Sequence, residues 1–230
     1  METIDDLVLI IVAAGASARY GGKEKQLESL DGLPVFLHSV KRLSPLAKAT
    51  VIAVPLGRMQ LYEETTAQYG LASAALHYVE GGCSRTASVR SALAMAASLQ
   101  ENGIVAIHDA VRPLARPEML LRLVDAARAF GGAAPGKRVS DTLLRTDADD
   151  NITEYVPRTG MWQAATPQVF RLRELLNAYD AAQNQDFTDD TQVFMNNGGK
   201  VHMLEENVCN VKITYPKDLE LCRCLLQSEN

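Results

Sequence analysis

The amino-acid sequence predicts an α/β protein with a doubly wound, mostly parallel sheet. Two observations support this fold class: β-branched-rich segments that are apolar throughout, and amphipathic helical segments between them. A third observation concerns function, because glycines and basic residues follow several of the predicted strands. Sheets of this class bind ligands at the carboxyl ends of their strands, so the fold class also predicts where a site lies.

Four apolar segments are predicted to be strands, at residues 7–14, 49–54, 76–80 and 103–108. The first, LVLIIVAA, has no polar residue on either face, which is typical of a central strand covered by helices. Each segment ends at a polar or glycine-containing loop, as strands of a doubly wound sheet do.

Helical spacing of apolar residues predicts helices after these strands. Pro34 is expected in the first turn of one helix, a second helix covers residues 84–99, and a third begins at Arg116-Pro117. The apolar tail around residues 219–226 is also helix-like. Its two cysteines, Cys222 and Cys224, are therefore expected to pack in the core rather than to bind metal.

Residues 138–157 interrupt this alternation. Two short strand-like segments flank an acidic turn at 147–151, which predicts a hairpin, and this projecting β-arm would expose apolar side chains on a monomer. These side chains are Leu143, Leu144, Ile152 and Val156. Because a partner chain would cover them, we expect a homodimer formed partly by the arm. With no internal repeat, residues 1–230 are predicted to form a single domain.

Composition excludes several functional classes. The formal net charge of −5 argues against nonspecific binding to nucleic acid or to an anionic membrane. No apolar segment is long enough to span a bilayer, and the acidic start does not resemble a signal peptide. The four cysteines have no disulfide-framework spacing, so we expect reduced thiols and a cytoplasmic location.

The loop after the first strand carries small residues and two cations, Arg19 and Lys25. Small residues allow backbone N–H groups to approach an anion, and the cations favour a polyphosphate. The dinucleotide pattern G-x-G-x-x-G is not met, because Ser17 and Ala18 occupy glycine positions, and this disfavours a NAD oxidoreductase. The loop alone fits a nucleotide site and an ordinary solvated turn about equally.

Two further loops favour a nucleotide site. Gly82 and Ser88 stand at a predicted helix start, where they are suited to a base or ribose, although Ser84 by itself is best explained as a helix cap. Asp109 follows a strand directly and is a candidate Mg²⁺ ligand, because magnesium prefers one or two carboxylates plus phosphate oxygens. The neighbouring His108 is interpreted as a hydrogen-bonded core residue.

Six short motifs occur in a fixed order along the chain, and each is weak alone. They are Ala13-Ala14-Gly15 with Arg19 and Lys25-Gln26, Gly81-Gly82 with Arg85 and Ser88-Val89, His108 to Pro113, Arg158 to Trp162, Ala165 to Gln168, and Asn210 to Thr214. Together they resemble the 2-C-methyl-D-erythritol 4-phosphate cytidylyltransferase family across essentially the whole chain. The resemblance implies a homodimeric enzyme with a Rossmann-like sheet that joins CTP to a small sugar-alcohol phosphate with the help of Mg²⁺ or another divalent cation.

The resemblance also implies a role for individual residues. Those matching the cytosine and ribose positions are Ala13, Ala14, Gly15, Gly82 and Ser88. The cations around the triphosphate are Arg19, Lys25 and Lys212, which are the implied catalytic residues, and Asp109 serves metal and substrate. The acceptor phosphate is held by Thr142, Arg158 and Thr166, of which Thr142 and Arg158 come from the arm of the neighbouring subunit.

Several positions depart from the family pattern. Val12 and Glu24 stand where many members have proline, and Ser17 where many have glycine. Cys83 replaces an acidic residue of some members, so backbone carbonyls must receive the cytosine amino group if that side chain normally does.

Rival functions share parts of this pattern. Ribitol 5-phosphate cytidylyltransferase is the nearest, but that group tends to have Ala-Gly-Gly in the first loop and to lack Gly-Met-Trp, whereas this chain has Ala13-Ala14-Gly15 and Trp162. A sugar-phosphate nucleotidylyltransferase using UTP or GTP is a broader rival. A non-catalytic nucleotide-binding domain is disfavoured, because it would not need all of the cations.

Overall fold

The computed structural model describes residues 2–15, 20–22, 24–183 and 185–229. The strands in these ranges are β1 (Ile4–Val12), β2 (Ser29–Leu30), β3 (Leu33–Pro34), β4 (Ala47–Val54), β5 (Leu76–Glu80), β6 (Ile104–Asp109), β7 (Gly132–Arg138), β8 (Leu143–Thr146), β9 (Ile152–Val156), β10 (Trp162–Ala164), β11 (Gln168–Arg171) and β12 (Val201–Glu205). The helices are α1 (Val35–Leu43), α2 (Met59–Gln68), α3 (Arg85–Leu99), α4 (Pro117–Phe130), α5 (Leu172–Ala181), α6 (Asp190–Asn196) and α7 (Pro216–Glu229), with a short 3-10 turn at Ser44–Leu46.

The main sheet has eight strands in the order β10-β7-β11-β6-β1-β4-β5, and β12 also pairs with β7. The pairs of β1 with β4 and β6, of β4 with β5, and of β7 with β12 are parallel. β11 is antiparallel to both β6 and β7, and β10 is antiparallel to β7. The predicted mostly parallel α/β sheet is therefore confirmed.

The position of β1 at the centre of the sheet explains why its sequence is apolar throughout. Leu7, Leu9 and Ile11 pack into one core, together with side chains of α1 and α4. Val8, Ile10 and Val12 face a second core on the opposite side, which α3 and α5 cover. Because helices cover both faces, alternation of apolar and polar residues along β1 would place polar groups in a core.

The predicted elements around β1 are confirmed with small differences at their ends. Ser84 caps α3 by accepting a hydrogen bond from the Ala87 N–H group at 3.1 Å, and Pro117 begins α4. Pro34 differs from the prediction, because it precedes α1 rather than lying in its first turn. There its carbonyl group still starts the helix while its missing N–H group costs nothing.

The predicted hairpin is present as the antiparallel pair β8–β9. Of its apolar side chains, Leu144 and Ile152 are exposed, while Leu143 and Val156 are half-buried. Tyr155, which the sequence analysis did not single out, is 72% exposed. A hairpin that leaves these groups in water has an apolar face that the single chain does not cover.

The four cysteines have free thiols. Cys222 is buried in the core that α7 forms, as expected, but Cys224 is exposed and the prediction for it is wrong, since it lies on the other side of the helix. Among the helices of the described ranges, none combines the length and the apolar character needed to cross a membrane.

Candidate functional site

The carboxyl ends of β1, β4 and β6 meet at one edge of the sheet. The Ala13 N–H group donates to Ala53 at 2.8 Å, and the Ala110 N–H group donates to Val12 at 3.1 Å. The Gly81 N–H group donates to Val54, also at 2.8 Å, so the loop after β5 begins at the same edge. The structure thus brings together the starts of the loops that were predicted to form the site.

The loops after β1 and β5 contact each other at Gly81, where there is no room for a side chain. A Cβ atom on Gly81 would lie 2.4 Å from the Ala14 Cβ atom and 2.7 Å from the Ser88 hydroxyl oxygen. The Gly82 N–H group donates to the same hydroxyl at 3.2 Å. Glycine at position 81 therefore lets the loop after β5 pack directly against the Ala14 and Ser88 side chains at the start of α3.

Gln26 holds the start of the loop after β1 through two hydrogen bonds. Its side-chain amide donates to the carbonyl oxygens of Ala13 at 2.8 Å and Gly15 at 2.9 Å, and only 2% of the residue is exposed. Lys25 precedes it and is half-buried beside this edge. Arg19, the other predicted cation of the loop, lies outside the described residues.

Asp109 is the centre of a cluster of three cations. One carboxylate oxygen is 2.8 Å from the Lys212 Nζ atom and 3.6 Å from the Arg112 Nε atom, and the other is 3.4 Å from the Arg85 Nε atom. The aspartate is only 6% exposed. Burial alone would raise the pKa of Asp109, but Arg85, Lys212 and Arg112 outweigh it and hold the pKa well below its usual range.

Arg85 is anchored on its other side by a buried carboxylate. Its guanidinium donates to Asp190 at 2.6 Å, and the Tyr179 hydroxyl donates to the second oxygen of Asp190 at 2.5 Å. Asp190 is fully buried at the start of α6. A buried ion pair with every oxygen hydrogen-bonded fixes Arg85, and therefore fixes the position of Asp109.

Thr166 lies beside Asp109 but is held by the protein. Its hydroxyl oxygen accepts a hydrogen bond from the Asp109 N–H group at 3.0 Å, and lies 3.1 Å from the His108 Nδ1 atom. Burial lowers the pKa of His108 to about 4, so this ring is neutral at pH 7. The structural interpretation of His108 is confirmed, and Thr166 lies where it can orient Asp109.

The two predicted site residues of the arm, Thr142 and Arg158, lie apart from this cluster. Both are exposed at the base of the hairpin, where the Arg158 guanidinium donates to the Ser140 carbonyl oxygen. In the structure as described, neither side chain forms a hydrogen bond or ion pair with Asp109 or Lys212. Within one chain, therefore, the structure does not bring the arm residues to the site.

Within the described ranges, no three or more His, Cys, Asp and Glu side chains are gathered so that they could hold a metal ion. Asp109 is the carboxylate at the strand end, and nitrogen donors contact both of its oxygens. This donor set fits a divalent cation only if phosphate oxygens and water supply most of its ligands, as Mg²⁺ commonly accepts.

Sequence reasoning assigned no role to Arg85, Arg112 or Asp190. Arg85 and Arg112 belong to the quoted motifs, and a cation at the start of a helix after a glycine pair was a signal that could have identified Arg85. Asp190 gave no local signal, because its partner Arg85 is 105 residues away in the sequence.

The fold and the cations gathered at its carboxyl edge, in a chain whose net charge is −5, define an α/β nucleotidyltransferase. Comparisons with known proteins agree. The family model described as IspD, 2-C-methyl-D-erythritol 4-phosphate cytidylyltransferase, matches residues 7–228. This chain therefore belongs to the 2-C-methyl-D-erythritol 4-phosphate cytidylyltransferase family.

Individual relatives cover nearly the whole chain. A 2-C-methyl-D-erythritol 4-phosphate cytidylyltransferase of Porphyromonas gingivalis is 34% identical over 221 residues, covering 95% of this chain and 97% of its own. The enzyme of the same name from Ralstonia nicotianae is 37% identical over 230 residues, covering 94% of this chain and 90% of its own. The crystal structure of the enzyme of this name from Thermus thermophilus superimposes with a TM-score of 0.77 at 26% identity, covering 99% of this chain and 100% of that one.

Proposed function

We propose that this protein transfers the cytidylyl group of CTP to 2-C-methyl-D-erythritol 4-phosphate and releases pyrophosphate, a step in isoprenoid precursor synthesis. Family membership over residues 7–228 is the observation that carries the proposal. The Asp109 cluster supports it, because the reaction must bring a triphosphate and a phosphate monoester together and needs positioned cations rather than a covalent nucleophile.

The nucleotide lies, in this proposal, between the loops after β1 and β5. The residues that receive cytosine and ribose are Ala13, Ala14, Gly15, Gly82 and Ser88. Ser88 is almost fully buried, so it acts by holding Gly82 in place, while the exposed Gly15 and Gly82 offer their backbone to the ligand. Cys83 is exposed beside them and leaves recognition of the cytosine amino group to backbone carbonyls.

Arg19, Lys25 and Lys212 hold the triphosphate and stabilise charge at the α-phosphorus as the acceptor phosphate attacks. Lys212 is suited to this task because 40% of its side chain is exposed while its ammonium group already rests on Asp109. Preorganised cations of this kind cost no rearrangement when charge develops in the transition state.

A divalent cation, most simply Mg²⁺, is proposed to arrive with the triphosphate and to take Asp109 as its protein ligand. When bound, it would neutralise phosphate charge. Asp109 can exchange partners for this purpose, since its Lys212 contact involves a half-exposed side chain that a phosphate can attract. Arg85 and Thr166 would keep the carboxylate in place during the exchange.

The acceptor phosphate is proposed to bind between Asp109 and Thr166 of one subunit and Thr142 and Arg158 of its partner. The exposed position of both arm residues and the uncovered apolar face of the hairpin support a homodimer with shared sites. An arginine suits this role, because its guanidinium holds a phosphate through two hydrogen bonds. We further propose that residues 1–230 form one cytoplasmic domain of which residues 138–157 are the arm.

Pyrophosphate release tests the function directly. With Mg²⁺, the purified chain is expected to release pyrophosphate from CTP when 2-C-methyl-D-erythritol 4-phosphate is present, and to lose this activity when a chelator removes the metal. UTP, GTP and ribitol 5-phosphate are the matched alternatives. Faster release with ribitol 5-phosphate, or equal release with UTP, would contradict the proposal.

A further inference from the structure

The turn between β4 and α2 lies between the two loops that flank the proposed nucleotide site. In the main sheet β4 lies between β1 and β5 and is parallel to both, so the turn follows β4 at the same edge. Pro55 to Arg58 form this turn, in which the Arg58 N–H group donates to the Pro55 carbonyl oxygen at 3.0 Å. We call these four residues the β4 turn. None of the roles proposed above uses it.

Hydrogen bonds fix the β4 turn on both sides. Gly57 has a φ of +72°, as the third residue of a type II turn requires, and its N–H group donates to the Glu80 carboxylate at the end of β5 at 2.8 Å. The Arg58 carbonyl oxygen accepts from the Tyr62 N–H group at 3.2 Å, which begins α2. The side chain of Arg58 therefore projects from a backbone that is already held in place.

Arg58 contacts the loop after β1 through Glu24. Its guanidinium lies 2.8 Å from the Glu24 Oε1 atom, and the side chain of Glu24 is only 30% exposed. The Glu24 Oε2 atom is buried and has no hydrogen-bond partner in the part of the chain that the structure describes. Arg58 therefore supplies the counter-charge of a carboxylate that water reaches only in part.

Glu24 directly precedes Lys25, to which the proposed function assigns a catalytic role. The Glu24 carbonyl oxygen accepts from the Leu27 N–H group at 2.9 Å, and that of Lys25 accepts from Glu28 at 3.3 Å. Both residues thus belong to one hydrogen-bonded segment, and Gln26 within it is bound to the start of the loop after β1. The position of Lys25 therefore depends on how Glu24 is held.

Loss of the Arg58 charge would disturb this segment in a defined way. A partly buried carboxylate without its counter-charge is unfavourable, because it has lost water without gaining a partner. The segment would have to move to bring Glu24 into water, and Lys25 would move with it. A cation stabilises a transition state only if it is already in position when charge develops, so this movement would slow the reaction.

We propose that Arg58 is a positioning residue for the reaction, because its ion pair with Glu24 holds Lys25 at the triphosphate. This inference rests on the proposed function, which assigns Lys25 to the triphosphate. It extends the site to the loop after β4, whereas the proposed roles use the loops after β1, β5 and β6. Glu80 contributes indirectly, since it fixes the turn from which Arg58 projects.

Arg58→Met removes the charge and keeps most of the aliphatic chain. We expect kcat to fall by about fivefold, the upper range for a partly exposed ion pair, while the KM for the acceptor is unchanged. Arg58→Lys keeps the charge and should retain kcat within about twofold of the wild type. Arg173→Met is the matched control, because the ion pair of Arg173 with Glu101 is similarly exposed but lies beyond β11, at the amino end of β6. It should leave kcat unchanged, and Tm should fall by at most about 3 °C in either methionine variant.

Neutralising Glu24 tests the physical reason for the effect. Glu24→Gln removes the partly buried charge, so Arg58 is no longer needed as its counter-charge, and kcat should fall only about twofold. Adding Glu24→Gln to Arg58→Met should then raise kcat from about one fifth to about one half of the wild-type value. A double variant no more active than Arg58→Met would show that the unpaired carboxylate is not what displaces Lys25, and the inference would be wrong.

The Lys25→Ala background tests whether Arg58 acts through Lys25. Residues that act as a unit have strongly non-additive effects, so adding Arg58→Met to Lys25→Ala should cause no further loss of kcat in pyrophosphate release. A further loss of about fivefold would mean that Arg58 acts independently of Lys25, and would overturn the inference. If the wild type releases no pyrophosphate, the proposed function itself fails. If the wild type is active and Arg58→Met retains its kcat, only the positioning role is wrong.

Discussion

The Asp109 cluster and the β8–β9 hairpin are both polar regions of the molecule, but the chain completes only one of them. Asp109 is nearly buried and contacts three cations, one of which is fixed in turn by Asp190. The hairpin instead leaves Leu144, Ile152 and Tyr155 exposed. The cluster pairs its charges within one chain, whereas the hairpin has an apolar face of the kind that a partner chain covers in the proposed homodimer.

The same difference appears in the polar contacts of each region. In the cluster, carboxylates and cations from distant segments of the chain meet in the interior. In the hairpin, the contacts are local, such as the Arg145 guanidinium donating to Glu154 at 2.8 Å and the Asn151 N–H group donating to Asp147 at 2.9 Å. Substitutions in the cluster should therefore affect both folding and activity, and those in the hairpin mainly association.

Removing the charge at the centre of the cluster should have the largest effect. Asp109→Asn leaves Arg85, Lys212 and Arg112 without their shared counter-charge, so we expect activity to fall by roughly 10³-fold. The free energy of unfolding should fall by about 3 kcal/mol, and Tm by roughly 10 °C. Asp150→Asn, in the exposed turn of the hairpin, is the matched control and should change neither. An unaltered Tm for Asp109→Asn would mean that the cluster does not stabilise the fold.

Lys25 should affect activity without affecting the fold. If its ammonium group stabilises charge in the transition state, Lys25→Ala lowers kcat by roughly 10²-fold, and thermal unfolding changes little because the residue lies on a loop. Lys48→Ala, on an exposed lysine at the opposite end of β4, is the control. Steady-state kinetics with near-normal kcat would remove Lys25 from the catalytic residues.

The apolar face of the hairpin should determine association. The double change Ile152→Ser and Tyr155→Ser removes two exposed apolar side chains from a proposed interface, and each is worth about 1–3 kcal/mol if buried there. We expect the dimer dissociation constant to rise at least about tenfold in sedimentation experiments, while the monomer stays folded. Leu56→Ser, which is 77% exposed outside the hairpin, should leave association unchanged. An unchanged dimer in the double variant would place the interface elsewhere.

Loss of the hydrogen bond from Tyr179 to Asp190, which helps to hold Arg85 beside Asp109, should have a smaller and more specific effect. Tyr179→Phe removes the hydroxyl that donates to Asp190, and this loosens Arg85 without removing a charge. We expect kcat to fall by about tenfold and the free energy of unfolding by about 1–2 kcal/mol. Tyr155→Phe in the hairpin should change neither. Loss of stability without any loss of kcat would show that this support is structural only.

The smallest effect concerns pH and the hairpin turn. Hydrogen bonds from Asn151 lower the pKa of Asp147, so its ionised form favours the folded turn. The contribution is complete above the unfolded pKa of about 4, and is lost as pH falls through the lower folded pKa. Chemical shifts of the turn should change in that acidic range and not in Asp147→Asn. Chemical shifts of the wild-type turn that stay constant as pH falls through this range would contradict this.

Much of the fold was predictable because its signals are local. The apolar segment at β1 and the helix starts at Ser84 and Pro117 depend on neighbouring residues, and the acidic turn indicates a hairpin in the same way. The order of the strands, and the pairing of β7 with both β10 and β12, depend on contacts between distant segments that no local pattern specifies.

The site was predictable in part for the same reason. Asp109 was found because it follows a strand end directly, and Lys212 through family resemblance. Asp190 was missed because its partner is 105 residues away.

The central claim is that the cluster of one chain and the arm of another form each active site. Mixing Lys25→Ala subunits with Arg158→Ala subunits tests it most directly, since a mixed dimer has one site with both defects and one with neither. Random exchange places about half of the chains in mixed dimers, so activity should recover to about a quarter of the wild-type value. A mixture of Lys25→Ala with Arg145→Ala, whose change lies on the hairpin but outside the site, is the control for the hairpin substitution and should keep about half of the wild-type activity with or without exchange. If exchange is demonstrated and activity remains at the level of the single variants, Lys25 and Arg158 serve the same subunit, and the account of a shared site is wrong.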